Sequence, residues 1–339
     1  MRFPMKYQKA FALFLAVLLF AGSLGDPIHN VTVYAQEEKK AEENNTMDIT
    51  AQSAVLIENS SGRILYEKEK DKELIPASIT KIMTLLLIFD ALEKGQIHLG
   101  DAVSVSEYAA SMGGSQVFLE PGETQTVDTM IKCISVASAN DAAVAMAEYV
   151  AGSEQAFVDQ MNHTHFMNCN GLDDSIESGH YSSAYDVALM SRALISGYPQ
   201  ISHYSTIWMD EITHSTKKGD TQFGLTNTNK LIRTYQGITG LKTGSTSKAK
   251  YCLSATASRA AVSLTAVVMA APDPKIRFSQ AASLLDYGFA NCTGFEDQTT
   301  ALKLPAIPVK NGVSETVIPY ISKDFSYTLY KGESGDQIE

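Results

Sequence analysis

The spacing of hydrophobic and polar positions changes several times along this chain, and each change marks an element. Apolar residues run without interruption from Ala10 to Ala21, behind Arg2, Lys6 and Lys9. The stretch 36–48 is almost wholly polar and charged and reads as a disordered spacer. Ser53–Asn59 and Arg63–Glu67 then read as two strands about a Ser60-Ser61-Gly62 turn, a hairpin. From Pro76 the period becomes helical. Ile79, Ile82, Met83, Leu85, Leu86, Ile88, Phe89 and Leu92 leave almost no polar face, so this helix belongs inside a core. Further helices are expected at Val127–Val136, Asp141–Val150, Glu154–Phe166, Ser183–Ile195 and Ile276–Phe289, and strands at Tyr251–Ala257 and Ala261–Met269. Strands at both ends of a helical middle imply one antiparallel sheet closed by distant parts of the chain, an α/β (α+β) architecture. After Cys292, Leu302–Lys310, Glu315–Ile321 and Ser326–Tyr330 read as short strands of a small β appendage.

The N-terminal run is short for a membrane span and follows a cationic segment, the pattern of an export signal. Val33-Tyr34-Ala35 is the expected cleavage site and Ser23-Leu24-Gly25 the alternative; an uncleaved anchor helix is the bland reading. The expected organisation is a signal peptide at 1–35, a spacer at 36–48, a catalytic domain at 49–291 and an apparently incomplete β domain at 292–339. The 339 residues carry a formal charge of -11, which argues against nucleic acid as a partner. The four cysteines, Cys133, Cys169, Cys252 and Cys292, make no disulfide framework in a chain this long and read as small buried apolar side chains. No metal-ligand spacing appears: His163-x-His165 lacks a third ligand nearby and reads as a structural or surface pair. No cofactor is implied.

No nucleophile motif accompanies His180, so the candidate chemistry is a serine served by a lysine. Ser78-Ile79-Thr80-Lys81 puts Lys81 one helical turn from Ser78, on the same face. A position at the helix N-terminus aims free N–H groups at a developing oxyanion. Lysine is a poor base at its ordinary pKa of about 10.4, and burial or a neighbouring cation lowers it. The pattern Ser-x-x-Lys also occurs at Ser215, Ser245 and Ser247, but only Ser78 opens a buried helix. Two more segments carry chemistry. In an extended loop, Ser138-Ala139-Asn140 points a hydroxyl and a carboxamide the same way; the alternative is a cap for the next helix. Lys242-Thr243-Gly244, ahead of the strand pair, offers a cation for a carboxylate and for lowering the Lys81 pKa, a hydroxyl, and a glycine that admits a substrate backbone; the alternative is an ordinary turn.

In this order the three motifs resemble those of the penicillin-recognising serine enzymes. Pro76-Ala77-Ser78-Ile79-Thr80-Lys81-Ile82-Met83-Thr84, Ser138-Ala139-Asn140-Asp141-Ala142-Ala143, Gly179-His180-Tyr181-Ser182-Ser183-Ala184-Tyr185-Asp186 and Gly237-Ile238-Thr239-Gly240-Leu241-Lys242-Thr243-Gly244 resemble the low-molecular-mass D-alanyl-D-alanine carboxypeptidases. The likeness runs from about Ser53 to Phe289 and on into the appendage. It implies a β-lactamase/transpeptidase-like fold, with a peptidoglycan stem peptide ending in D-Ala-D-Ala as substrate and β-lactams as covalent inhibitors. It implies that Ser78 is acylated, Lys81 takes its proton, and Ser138 passes a proton to the leaving D-alanine. Asn140 would hold a substrate amide, and Lys242 and Thr243 the terminal carboxylate. Gly244 would admit the substrate backbone, and the N–H groups of Ser78 and Ser245 would form the oxyanion hole. Arg277 either lies near that carboxylate or is a surface cation at a helix start.

The chain departs from the family pattern at Ala139, where Gly is usual, and in its polar end Lys331–Glu339, where a longer β domain and a membrane-anchoring helix are usual. Any membrane-surface association would use an anchor not seen in this sequence. A D,D-endopeptidase acting on cross-links would use the same residues. A class A β-lactamase would need a Glu-x-x-Leu-Asn segment, and none is found.

Overall fold

The computed structural model describes residues 47–161, 165–174, 176–297, 299–322 and 324–337. The expected signal peptide and all but the end of the spacer lie outside them, as does His163. β1 (Ser53–Glu58) and β2 (Ile64–Lys68) form the expected hairpin. α1 (Lys81–Glu93) follows a 3₁₀ turn, Ala77–Thr80, that carries Ser78. β3 (Ala102–Ser104) and β4 (Thr124–Thr126) pair and lead to α2 (Val127–Lys132). α3 (Asn140–Ala151) and α4 (Glu154–Gln160) come next. The helix expected to reach Phe166 therefore stops early; His165 instead bridges to Tyr181 and stacks on its ring.

α5 (Ala184–Gly197) begins where expected, because the Ser183 hydroxyl accepts the Asp186 N–H as an N-cap. β5 (Met209–Thr216) and β6 (Gly219–Thr226) form a hairpin that hydropathy did not announce, since Ile212, His214 and Leu225 are its buried side chains. β7 (Ile238–Thr246), β8 (Lys250–Arg259) and β9 (Val262–Ala271) precede α6 (Pro274–Asn291). Beyond it, β10 (Cys292–Asp297) pairs with β13 (Phe325–Tyr330), and β11 (Ile307–Pro308) with β12 (Thr316–Val317).

The main sheet has the antiparallel order β2-β1-β9-β8-β7, closed as expected by strands from both ends of the chain. Alternate residues serve its two faces. Ala54, Leu56, Leu253, Leu264 and Val268 pack with Leu284 and Leu285 of α6. Val55, Ile57, Val267 and Met269 pack with Ile79, Ile82 and Ile88 around α1 and with Val187 of α5. Burial on both faces explains why β1, β8 and β9 read as nearly continuous apolar runs. The four cysteines are buried and unpaired. Among the described residues, no helix is long and apolar enough to cross a membrane.

Candidate active site

Two elements converge on the free edge of β7. The first is the turn Ala77–Thr80, which β7 approaches so closely that a Cβ on Gly244 would lie 2.7 Å from the Pro76 carbonyl oxygen and 3.0 Å from Ile79 N. That closeness requires the glycine of Lys242-Thr243-Gly244. The triplet lies within β7, not ahead of the strands. On the other side Gly171 (φ +83°) presses on the same turn: a Cβ there would lie 1.9 Å from the Ala77 oxygen. The turn is also braced from below. Thr80 Oγ1 donates to the Ala77 oxygen and lies 3.2 Å from His180 Nε2, while His180 Nδ1 accepts from Met167 N. These partners make His180 a neutral Nε2–H tautomer, and burial pushes its pKa down to about 4.

The second element is the end of α2. The expected helix Val127–Val136 changes at Cys133 into a π-helical turn, Cys133–Ala137, and ends at Ser138 in the left-handed region (φ +62°). Ala139 is extended and Asn140 is already helical. This kink, rather than an extended loop, brings Ser138 and Asn140 to the cleft. Neither side chain caps α3, whose N-cap is Ala139.

Lys81 is wholly buried, and its Nζ has three partners: Ser78 Oγ at 3.1 Å, Asn140 Oδ1 at 2.5 Å and the Asn170 carbonyl at 2.7 Å. Asn140 Nδ2 donates to the Gly113 carbonyl at 2.7 Å, which fixes the amide with its oxygen on Lys81. Burial lowers the Lys81 pKa from the usual 10.5 to about 7, against smaller opposing effects of the nearby Cys169 and Asp141. Lys242, also buried, donates to Ser138 Oγ at 2.8 Å and to the Thr243 carbonyl at 3.1 Å. Its pKa is driven well down by burial, then by Lys81 and Arg277. Desolvation is thus what perturbs Lys81. Lys81 and Lys242 also repel each other as cations, which favours the neutral form of both.

Thr243 is buried and donates to Thr228 Oγ1 at 2.7 Å; Ser245 is exposed at the next step but one of the strand. Arg277 is not a surface cation. Its guanidinium donates to the Gly244 carbonyl at 3.1 Å and lies over the rings of Tyr251 and Phe278, and burial lowers its pKa. The structure therefore brings Ser78, Lys81, Ser138, Asn140, Lys242, Thr243 and Gly244 to one cleft edge, with Ser245 beyond them and Arg277 bracing β7. The other Ser-x-x-Lys serines stand apart in role: Ser215 is exposed on β5 and Ser247 is exposed after β7. Sequence reasoning missed the Asn170 and Gly113 carbonyls and Thr228. Backbone acceptors leave no signature in a sequence, and a lone threonine leaves little.

The model of the D-alanyl-D-alanine carboxypeptidases, peptidase family S11, matches residues 37–273. The chain belongs to this family. A D-alanyl-D-alanine carboxypeptidase of Bacillus subtilis, DacF, is 44% identical over 298 residues, covering 85% of this chain and 75% of the relative. DacA of Escherichia coli is 34% identical over 303 residues, covering 85% and 73%. Among solved structures, penicillin binding protein 5 of Haemophilus influenzae superposes with a TM-score of 0.68 at 32% identity, covering 84% of each chain. Family membership makes the chain a serine peptidase with the transpeptidase-like fold.

Proposed function

We propose that this S11 peptidase removes the terminal D-alanine from peptidoglycan stem peptides ending in D-Ala-D-Ala, through an acyl-enzyme on Ser78. One observation carries the reading: among the described residues, the buried Lys81 amine has Ser78 Oγ as its only hydroxyl partner, its other two being carbonyl acceptors. A neutral amine has two N–H groups and one lone pair. The N–H groups satisfy Asn140 Oδ1 and the Asn170 carbonyl, and the lone pair is left for the Ser78 hydroxyl. With a pKa of about 7, Lys81 is substantially neutral at neutral pH.

In the reaction, Ser78 Oγ attacks the carbonyl between the two D-alanines as its proton passes to Lys81. The oxyanion is received by the N–H groups of Ser78 and Ser245. The C–N bond then breaks, and the leaving amine takes a proton from Lys81 through Ser138, which Lys242 holds at 2.8 Å. Water adds to the ester, its proton again going to Lys81, and releases the shortened peptide and free Ser78. Asn140 holds a substrate amide. Lys242 and Thr243 take the terminal carboxylate, with Arg277 steadying Gly244. A β-lactam follows the first half of this path and stays on Ser78. The catalytic unit spans 49–291, with a β appendage at 292–339, and the substrate places the enzyme outside the cytoplasm, exported by the segment 1–35. The test is intact-mass labelling with benzylpenicillin, then D-alanine release from a pentapeptide. One adduct on Ser78, absent from Ser78→Ala, is expected; an adduct that survives this substitution refutes the assignment.

A further inference from the structure

Residues 113–119, without helix or strand, form a wall beside Asn140 at the site. Two consecutive residues at the start of α3 hold this wall. Asn140 donates from its backbone N to the Ser115 carbonyl at 2.7 Å and from Nδ2 to the Gly113 carbonyl at 2.7 Å. Asp141 is wholly buried, and its carboxylate accepts from Val117 N and Leu119 N, each at 3.1 Å, and from Ala142 N at 2.9 Å. Between the two gripped amides Phe118 is left-handed (φ +62°) and 61% exposed. A bulky side chain adopts that backbone only where its surroundings impose it. The carboxylate, bonded to the residue on either side, imposes it.

A carboxylate is an expensive way to fasten a loop. Burial raises the Asp141 pKa despite its backbone hydrogen bonds, and among the described residues none of the ion pairs includes it. What the wall gains is position. The Gly113 carbonyl orients the Asn140 amide, and the Asn140 oxygen touches Lys81.

We propose that Asp141 is a positioning residue of the acyl-transfer site: its carboxylate fixes the wall 113–119, and the wall fixes the Asn140 amide with its oxygen on Lys81. This rests on the reading of Ser78 and Lys81 given above. Charge gives it a signature that packing lacks. The charged or ionisable groups that bear on the Lys81 amine are Asp141 from α3, Cys169 from the segment before α5, and Lys242 from β7. The Asp141 charge favours the ammonium form of Lys81, so removing it lowers the pH at which the amine becomes free.

Asp141→Asn keeps the shape but places an NH2 group against a backbone N–H. The experiment follows acylation by benzylpenicillin across pH 5–9 for wild type and D141N, with thermal unfolding of both. D141N is expected to acylate about tenfold more slowly on the alkaline plateau, the equivalent of about 1.4 kcal/mol of lost alignment. Its acid limb is expected at lower pH, and Asp141→Glu, which keeps the charge, should retain the wild-type limb. A D141N limb that coincides with the wild type overturns the proposal, whether the rate or melting temperature falls or not. Should D141N not fold, amide exchange in the wild type decides: Val117 and Leu119 are expected to be protected like α3, and exchange as fast as an open loop overturns it. Failure of the wild type to form the Ser78 adduct would instead sink the underlying reading.

Discussion

Replacing Lys81 with methionine separates the pKa account from every other property of the site. Moving an amine from the usual 10.5 to about 7 costs the folded state about 5 kcal/mol of differential stability, at about 1.4 kcal/mol per pKa unit. The sign follows from proton binding. Between pH 7 and 10.5 the unfolded chain holds the Lys81 proton and the folded chain does not, so stability rises with pH in that window. The penalty is complete below the folded pKa and vanishes above the unfolded one. Methionine carries no such penalty, but it strands the Asn140 and Asn170 oxygens, a constant loss at all pH. The stability of the wild type minus that of Lys81→Met is therefore expected to rise by about 2 to 3 kcal/mol between pH 6 and pH 9 and to flatten at lower pH. Urea unfolding of both proteins at each pH measures it. A difference that stays level across this range refutes desolvation as the source of the free base, even if the variant is inactive.

Gly171→Ala would put a Cβ 1.9 Å from the Ala77 oxygen and 2.9 Å from Ser78 N. Besides about 1–2 kcal/mol for the left-handed backbone, it must move the turn that carries Ser78, so penicillin acylation should be lost with the fold retained by circular dichroism. Undiminished acylation would contradict the packing described. His180 has its pKa lowered from 6.5 to about 4 by burial. Stability should therefore fall as pH drops from 6.5 to 4, by up to about 3 kcal/mol, and unfolding of His180→Gln should lose that dependence. Burial raises the pKa of all four thiols, Cys252 and Cys292 to about 11. Ellman's reagent at pH 8 should leave the native chain unreacted and titrate four thiols after guanidinium unfolding; prompt reaction of native Cys169 would contradict its burial.

Most of the main sheet was legible because β1, β8 and β9 are buried on both faces and their side chains say so. α1 was legible for the same reason, and its buried apolar run behind Pro76 singled out Ser78 from three other serines in the same pattern. The β5–β6 hairpin was not, because polar residues occupy most of its inward and outward positions alike and its pairing is set by neighbours. α4 was read too long: Phe166 and Met161 are buried by packing against the core, not by a continuous helix. The turn at Cys133 was invisible because its residues are as apolar as a helix would need, while its hydrogen bonds shift by one residue.

In the site, side chains with distinctive chemistry were found and their supports were not. Asn140 was read as a holder of substrate or a cap, yet its first contacts are with the enzyme: the Gly113 carbonyl on one side and Lys81 on the other. The same division applies to the two lysines. Sequence places two cations near one serine and suggests that Lys242 lowers the Lys81 pKa. The structure gives the two amines different partners. Lys81 is held by the carbonyls of Asn140 and Asn170, and burial frees its lone pair near neutral pH; Lys242 is held by the Ser138 hydroxyl and the Thr243 carbonyl. Two identical side chains thus differ in their partners, and the backbone carbonyls among those partners are the part of the site that residue identity does not encode.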